Sequence, residues 1–229
     1  MAISFVSVGA VSSGAGAVTP GFPASGVAAG DIAILVVQSS NEAITTPAGG
    51  WTQVANSPQG TGTAATAGAV RVGVYWKLCN GTENGTTVTV NDTGNHTVAQ
   101  ILIYRGCETT SPIDVTAGGV KAAASTTSTN PSVTTTVADT MIVLISGTAN
   151  DANSTANFSA WTNANLGSLT ERIDRSVNTG TGGGFGVADG TFVGPGATGT
   201  TTATMTSARS AYITIALKPP QGTKFFQMF

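Results

Sequence analysis

The sequence predicts an all-β protein, an antiparallel β-sandwich of jelly-roll-like type built from an internal duplication. Three observations carry this. Apolar, β-branched segments recur about every ten residues between Gly- and Asn-rich turns. No window places apolar residues at i, i+3, i+4 and i+7 between helix caps. The second half repeats the first at an offset of about 110 residues. Asp31-Ile-Ala-Ile-Leu-Val-Val is answered by Asp139-Thr-Met-Ile-Val-Leu-Ile, Gly50-Trp51-Thr52 by Ala160-Trp161-Thr162, and Val98–Tyr104 by Ser210–Ala216.

In chain order, the first half is expected to supply strands at Ile3–Val11, Asp31–Gln38, Thr52–Ala55, Ala69–Leu78, Thr86–Val90 and Thr97–Tyr104. The second supplies Ser132–Thr136, Met141–Ser146, Leu169–Ser176, Gly184–Phe192, Thr200–Met205 and Ala211–Leu217. Ile32–Val37 and Met141–Ile145 are continuously apolar, the pattern of strands covered on both faces. Val70-Arg-Val-Gly-Val-Tyr-Trp-Lys alternates and reads as half-exposed, with Tyr75 on the open side. Trp51 and Trp161 open equivalent strands and read as core plugs at the sandwich end. Ala117–Asn130, small and polar, reads as a crossover loop, with a linker the alternative, and Thr179–Gly186 as a flexible hairpin or loop. Residues 1–218 are therefore expected to form one sandwich of two pseudo-repeats, about 1–116 and 131–218. The halves should interleave in both sheets, because each alone would leave exposed edges.

Composition narrows the chemistry. Of 229 residues, 41% are hydrophobic and only 9% charged, with a net charge of -2. A surface covered by Thr, Ser, Asn and Gly loses little hydration on association, which suits permanent packing against other subunits. The nine Lys and Arg are scattered, so no nucleic-acid surface is expected. No apolar run reaches the ~20 residues of a membrane helix. Met1–Val8 reads as a first strand rather than a secretory signal, which places synthesis in a cytoplasm. In that setting Asn80-Gly-Thr, Asn84-Gly-Thr, Asn91-Asp-Thr and Asn95-His-Thr read as turn chemistry rather than glycosylation sites. Cys79 and Cys107 read as free structural thiols, a disulfide at one sandwich edge being the alternative.

No reacting constellation is apparent. His96 is the only histidine, lies in the turn Gly94-Asn-His-Thr, and no Gly-x-Ser-x-Gly elbow occurs. Glu171 and Asp174 are the best carboxylate pair, but three residues apart on a strand they should face opposite ways. Asp31 and Asp139 each open a buried strand and read as backbone caps. Thr179–Gly186 lacks the following helix and Lys-Ser/Thr of a phosphate loop. With so few Cys and His, no metal or other cofactor is expected. The candidate ligand-facing aromatics are Tyr75, Tyr104 and Tyr212.

The C-terminus departs from the repeat. Pro219 and Pro220 end the last strand, and residues 219–229 concentrate Phe225, Phe226, Met228 and Phe229. Four large apolar groups left in water are an aggregation hazard. They are read as a docking tail for another subunit, the other reading being a tail folded onto its own sandwich.

Gly30-Asp31-Ile-Ala-Ile-Leu-Val-Val, Gly50-Trp51-Thr52, Tyr75-Trp76-Lys77, Thr87-Val-Thr-Val90, Ile101-Leu-Ile-Tyr-Arg-Gly106 and Ser111-Pro-Ile-Asp114 together resemble β-sandwich structural proteins of tailed-bacteriophage virions. The resemblance runs to Leu217 and rests on fold signatures. It implies a non-enzymatic virion protein, carried as a tail-tip or fibre-associated subunit, with capsid decoration the alternative. Its partners would be other virion proteins and copies of itself, a trimer being a common assembly. A carbohydrate-binding adhesin for a host-surface glycan is a further alternative.

Overall fold

The computed structural model describes residues 2–92 and 94–221; the apolar cluster Phe225–Phe229 lies outside them. Strands β1 (Ser4–Val8), β2 (Ser12–Gly14), β3 (Ala29–Ser39), β4 (Thr52–Gln53), β5 (Gln59–Thr61), β6 (Val70–Asn80) and β7 (Thr97–Arg105) come from the first half. Then follow β8 (Ile113–Asn130), β9 (Thr134–Thr135), β10 (Thr140–Thr148), β11 (Phe158–Thr162), β12 (Gly167–Val177), β13 (Gly183–Phe192), β14 (Gly196–Ala197) and β15 (Thr201–Leu217). Among the described residues there is no helix. The protein is an antiparallel two-sheet β-sandwich, as the sequence predicts.

The halves do not interleave. The first half builds one seven-stranded sheet in the order β1-β7-β3-β6-β4, with β2 on β7 and β5 on β6. The second builds a six-stranded sheet in the order β11-β15-β10-β13-β12, with β8 on β15. Edges are shielded instead by using both repeats alike. Each central triad, β7-β3-β6 or β15-β10-β13, is flanked by its half's opening strand, β1 or β8. Ala117–Asn130 is accordingly no loop but most of β8, paired with β15 from Thr201↔Asn130 to Leu217↔Ile113 through bulges near Ala208. A polar, small-residue edge strand looks like a linker in sequence because it buries little.

Strand alternation explains the continuous apolar runs. Ile32, Ile34 and Val36 of β3 meet Val143, Ile145, Val187, Ile213 and Ile215 of the facing sheet in one core that spans both halves. Ala33, Leu35 and Val37 point the other way, beneath Val18, Phe22, Val27, Trp51, Val88 and Val90. In the second sheet Ile142 and Leu144 point outward beneath Val133, Leu166 and Trp161. Three apolar layers result. Each fully buried aliphatic side chain adds roughly 1.5–3 kcal/mol to the driving force for folding.

The outer lids account for two departures from sequence. Thr86–Val90 is no sheet strand; it joins the 18–22 segment through bridges Val18↔Val90 and Gly21↔Thr87 and lies over the first sheet. That lid, with Ile44 and Trp51, also covers Tyr75, so β6 is not half-exposed. Thr179–Gly186 is a hairpin connection, as one of its two readings had it: residues 178–182 join β12 to β13, and Gly183–Gly186 already belong to β13. Glycine is required where facing side chains press on the backbone. A Cβ on Gly147 would stand 2.1 Å from Val72 Cγ2 in the facing sheet, and one on Gly186 would stand 2.6 Å from the Phe158 ring. The latter contact lays β11 over β13, and hydrogen bonds from β11 reach β12 (below), so the second sheet curls around its outer core.

Candidate functional site

The three tyrosines proposed to face a ligand are all buried. Tyr75 Oη donates to the Ile44 carbonyl at 3.4 Å, and burial pushes its pKa up to about 12. Tyr212 Oη shares a short hydrogen bond with Ser210 Oγ. Tyr104, wholly inside, donates to Asp189 Oδ2 at 3.0 Å; burial, then the Asp189 charge, drives its pKa well above normal. None can stack on a sugar. Sequence alternation put them on strands correctly but could not see the lids and the facing sheet that enclose them.

Tyr104 is part of a charged cluster between the two sheets. Asp189 on β13 is 1% exposed and accepts two further hydrogen bonds, from Arg172 Nε and Nη2, each at 2.9 Å. The Arg172 guanidinium lies 4.5 Å from the centroid of the Phe5 ring. A bidentate ion pair, a tyrosine hydroxyl and an aromatic face thus tie β12 and β13 of one sheet to β1 and β7 of the other. Composition gave no hint of it, because its members lie far apart in sequence.

Arg172 is delivered by a β-bulge between Glu171 and Ile173. The bulge also overturns the expectation for the carboxylate pair, since Glu171 and Asp174 now both turn toward β11. Glu171 Oε2 accepts from Trp161 Nε1 at 2.6 Å; Asp174 accepts from Phe158 N at 2.7 Å and Asn157 Nδ2 at 2.9 Å. Burial, then the charge of Asp174, outweighs the Trp161 bond and raises the Glu171 pKa. Both Asp174 oxygens are engaged in holding β11. Trp161 is consequently half-buried and polar-tethered, whereas Trp51 is the buried plug expected, packed beside Phe22 at 6.0 Å.

His96 is not a solvated turn residue. It is fully buried, with Nε2 3.1 Å from Gln38 Oε1 and Nδ1 3.2 Å from Asn95 Oδ1. Burial lowers its pKa against the opposing pull of Asp92 and Asp151. Around it Asn95 Oδ1 accepts from Thr181 N and Thr181 Oγ1, each at 2.8 Å, and Thr181 Oγ1 bonds Ser40 Oγ at 2.8 Å. This polar network joins the two halves at one end. Asp31 caps as expected, accepting from Ala28 N at 2.8 Å and pairing with Arg105 at 2.8 Å. Asp139 instead opens β10 with a φ of 57°.

Cys79 and Cys107 are free and buried, in the outer and inter-sheet cores respectively. Burial raises each thiol to about 12, so neither is a poised nucleophile. Asn80 accepts from Thr82 N at 2.9 Å, as a turn residue does, whereas Asn84 exchanges hydrogen bonds of 2.9 Å with the backbone N and O of the sequence-distant Val27. Among the described residues no three His, Cys, Asp or Glu side chains are placed to hold a metal ion.

Open concavities remain. An apolar groove of about 460 Å³ at one end is walled by Ile3, Met141, Phe192, Val193, Pro219 and Pro220, with Asp139 on it. A second, of about 430 Å³, runs between the sheets, lined by half-buried Trp76 with Gln53, Asp114 and Thr116. Comparison with protein-family models, with curated proteins and with solved structures returned no match.

Proposed function

We propose that this chain is a structural subunit of a tailed-bacteriophage particle, worn on its outside as a tail-tip or fibre-associated protein, and that it assembles with copies of itself. The observation that carries this reading is the single apolar core running through both halves, braced by inward-facing polar side chains. Asp189, Tyr104, His96, Asp174 and Asp31 are all engaged in tying strands together. What is left outside is a surface of small, mostly uncharged residues on a stiff body, which associates with little loss of hydration. The virion-protein resemblance of the β3, β6 and β7 segments supports the same reading. Antibody labelling of intact particles tests it. Label at the tail tip is expected; label at hundreds of sites over the head assigns the decoration role, and particles lacking the protein refute both.

A second reading, a glycan-binding adhesin, is favoured by the Trp76 groove rather than by the tyrosines. An aromatic face bordered by an amide, a carboxylate and a hydroxyl has the mixed character a sugar requires. Saturable binding on a glycan array, lost in Trp76→Ala, supports it; no binding by the parent protein removes it.

A further inference from the structure

We propose that the apolar groove at the Pro219–Pro220 end is the seat of this chain's own C-terminal segment, Gly222–Phe229, with Phe225 and Phe226 filling it. The inference does not rest on the virion reading.

The first ground is where the chain leaves the sandwich. Lys218 N donates to Pro112 O at 2.8 Å, and Lys218 O accepts from Glu108 N at 2.9 Å, so the exit is pinned immediately after β15. Pro219 and Pro220, next in line, are themselves groove wall. The segment therefore begins at the groove's edge. Phe225 lies five residues beyond Pro220, a reach of up to about 17 Å when extended, and Gly222 permits a reversal close to the exit.

The second ground is chemistry. The walls are Ala2, Ile3, Met141, Phe192, Val193 and the two prolines, interrupted by Asp139, Thr140 and Thr191, and Val193 is 78% exposed at the rim. That is a costly surface to leave wet in a protein whose other large apolar side chains are nearly all covered. The segment carries Phe225, Phe226, Met228 and Phe229 among eight residues. Its one charged side chain, Lys224, is opposite in sign to Asp139, an exposed carboxylate on the groove. Charge sign and apolar content correspond.

The third ground decides between the chain's own tail and another copy's. A segment tethered at the rim competes at an effective concentration of the order of millimolar, which a second copy reaches only when crowded. The same chain is therefore the occupant.

The test is an engineered disulfide between Val193→Cys and Gln227→Cys in the full chain; Val193 is exposed, so the first change does not disturb the core, and the second leaves both phenylalanines in place. Mild oxidation is expected to give an intrachain bond in a monomer, seen by mass after proteolysis. Disulfide-linked dimers overturn the proposal by seating the tail on a second copy, and four free thiols, the two introduced beside the native Cys79 and Cys107, overturn it outright. A second measurement uses a chain ending at Gln221. It should bind an apolar fluorescent dye several-fold more than the full chain, and a Gly222–Phe229 peptide should reverse the excess. Equal dye binding by the two chains contradicts the proposal.

Discussion

Replacing Tyr104 by Phe removes one atom from the junction of the two sheets. The ring keeps its edge-on contact with Phe5, whose centroid lies 5.9 Å away, so packing is preserved. What is lost is an O–H donated to Asp189 Oδ2 at 3.0 Å in a site sealed from water. A hydrogen bond to a charged group contributes about 1.5–3 kcal/mol, and no water can replace this one. Arg172 continues to neutralise Asp189 through its two bonds, so the loss stays near that range. Asp189→Ala strands the guanidinium and the hydroxyl together and should cost about 3–5 kcal/mol. For a chain of this size each kcal/mol moves the melting point by about 2–4 °C, which puts Tyr104→Phe about 3–12 °C below the parent. Urea unfolding followed by tryptophan fluorescence should show a lower midpoint at unchanged slope. A Tyr104→Phe protein melting within about 1 °C of the parent would refute the claim that this bond ties the halves.

Other perturbations have defined outcomes. Gly147→Ala should destabilise by about 1–3 kcal/mol, since its Cβ would overlap Val72 across the sheet interface; an unchanged urea midpoint would mean the sheets can separate freely. Glu42 is buried with Oε2 unpartnered among the described residues, and burial, then Asp92, raises its pKa above 4.5. A raised carboxyl favours the folded state only while protonated, so its contribution fades as pH climbs from 4.5 through the folded value. Glu42→Gln should therefore be more stable than the parent at neutral pH, with the gap closing on acidification; a less stable variant at neutral pH would contradict this. His96 acts in the opposite sense. Its folded pKa lies below the ordinary 6.5, so the unfolded chain takes the proton first and stability falls as pH drops beneath 6.5, levelling off below the folded value. In Glu42→Gln, melting points between pH 7 and 5 should keep that fall (conditions chosen about the histidine range), and a flat profile would deny His96 its buried neutral state. Cys79 and Cys107 should resist a thiol reagent in the native protein and both react in urea; reaction of either at a free-thiol rate would contradict their burial.

Much of the architecture was legible because it rests on period. The runs at Ile32–Val37 and Met141–Ile145 are apolar at every position since both faces are covered, and their identical context announced the duplication. What escaped were features set by neighbours distant in sequence. Tyr75 alternates as if open because its lid comes from residues before β3 and after β6. Ala117–Asn130 looks like a linker because an edge strand over polar surroundings needs no apolar face. Glu171 and Asp174 were given opposite directions by simple alternation, and one extra residue at Arg172 reverses that. His96 sits in a turn motif that suggests solvent, yet Thr181 and Gly183 from the other half close over it. The groove at Pro219 was invisible as a cavity, because its walls come from segments far apart in sequence.

The duplication also separates what the fold needs from what it is free to vary. Both halves retain a three-strand centre and an opening strand beside it, β1 on β7 and β8 on β15. Their tryptophan segments diverge: β4 pairs with β6, whereas β11 pairs with β15 and crosses toward β12. The outer coverings diverge with them, bridged segments around Val18 and Val90 on one sheet, and β9, β11 and β14 on the other. The inter-sheet core leaves little room for such change, because a shift of one residue would exchange its apolar side chains for those of the outer layers. The coverings and the ends of the sandwich carry no such constraint. Both grooves described above lie at the margins of the repeated strands, one where Trp76 of β6 meets Gln53 and the start of β8, and one where the ends of β10 and β13 meet Ile3 and Pro219. Any recognition this molecule performs is therefore to be sought where those strand ends and edges meet the more variable coverings.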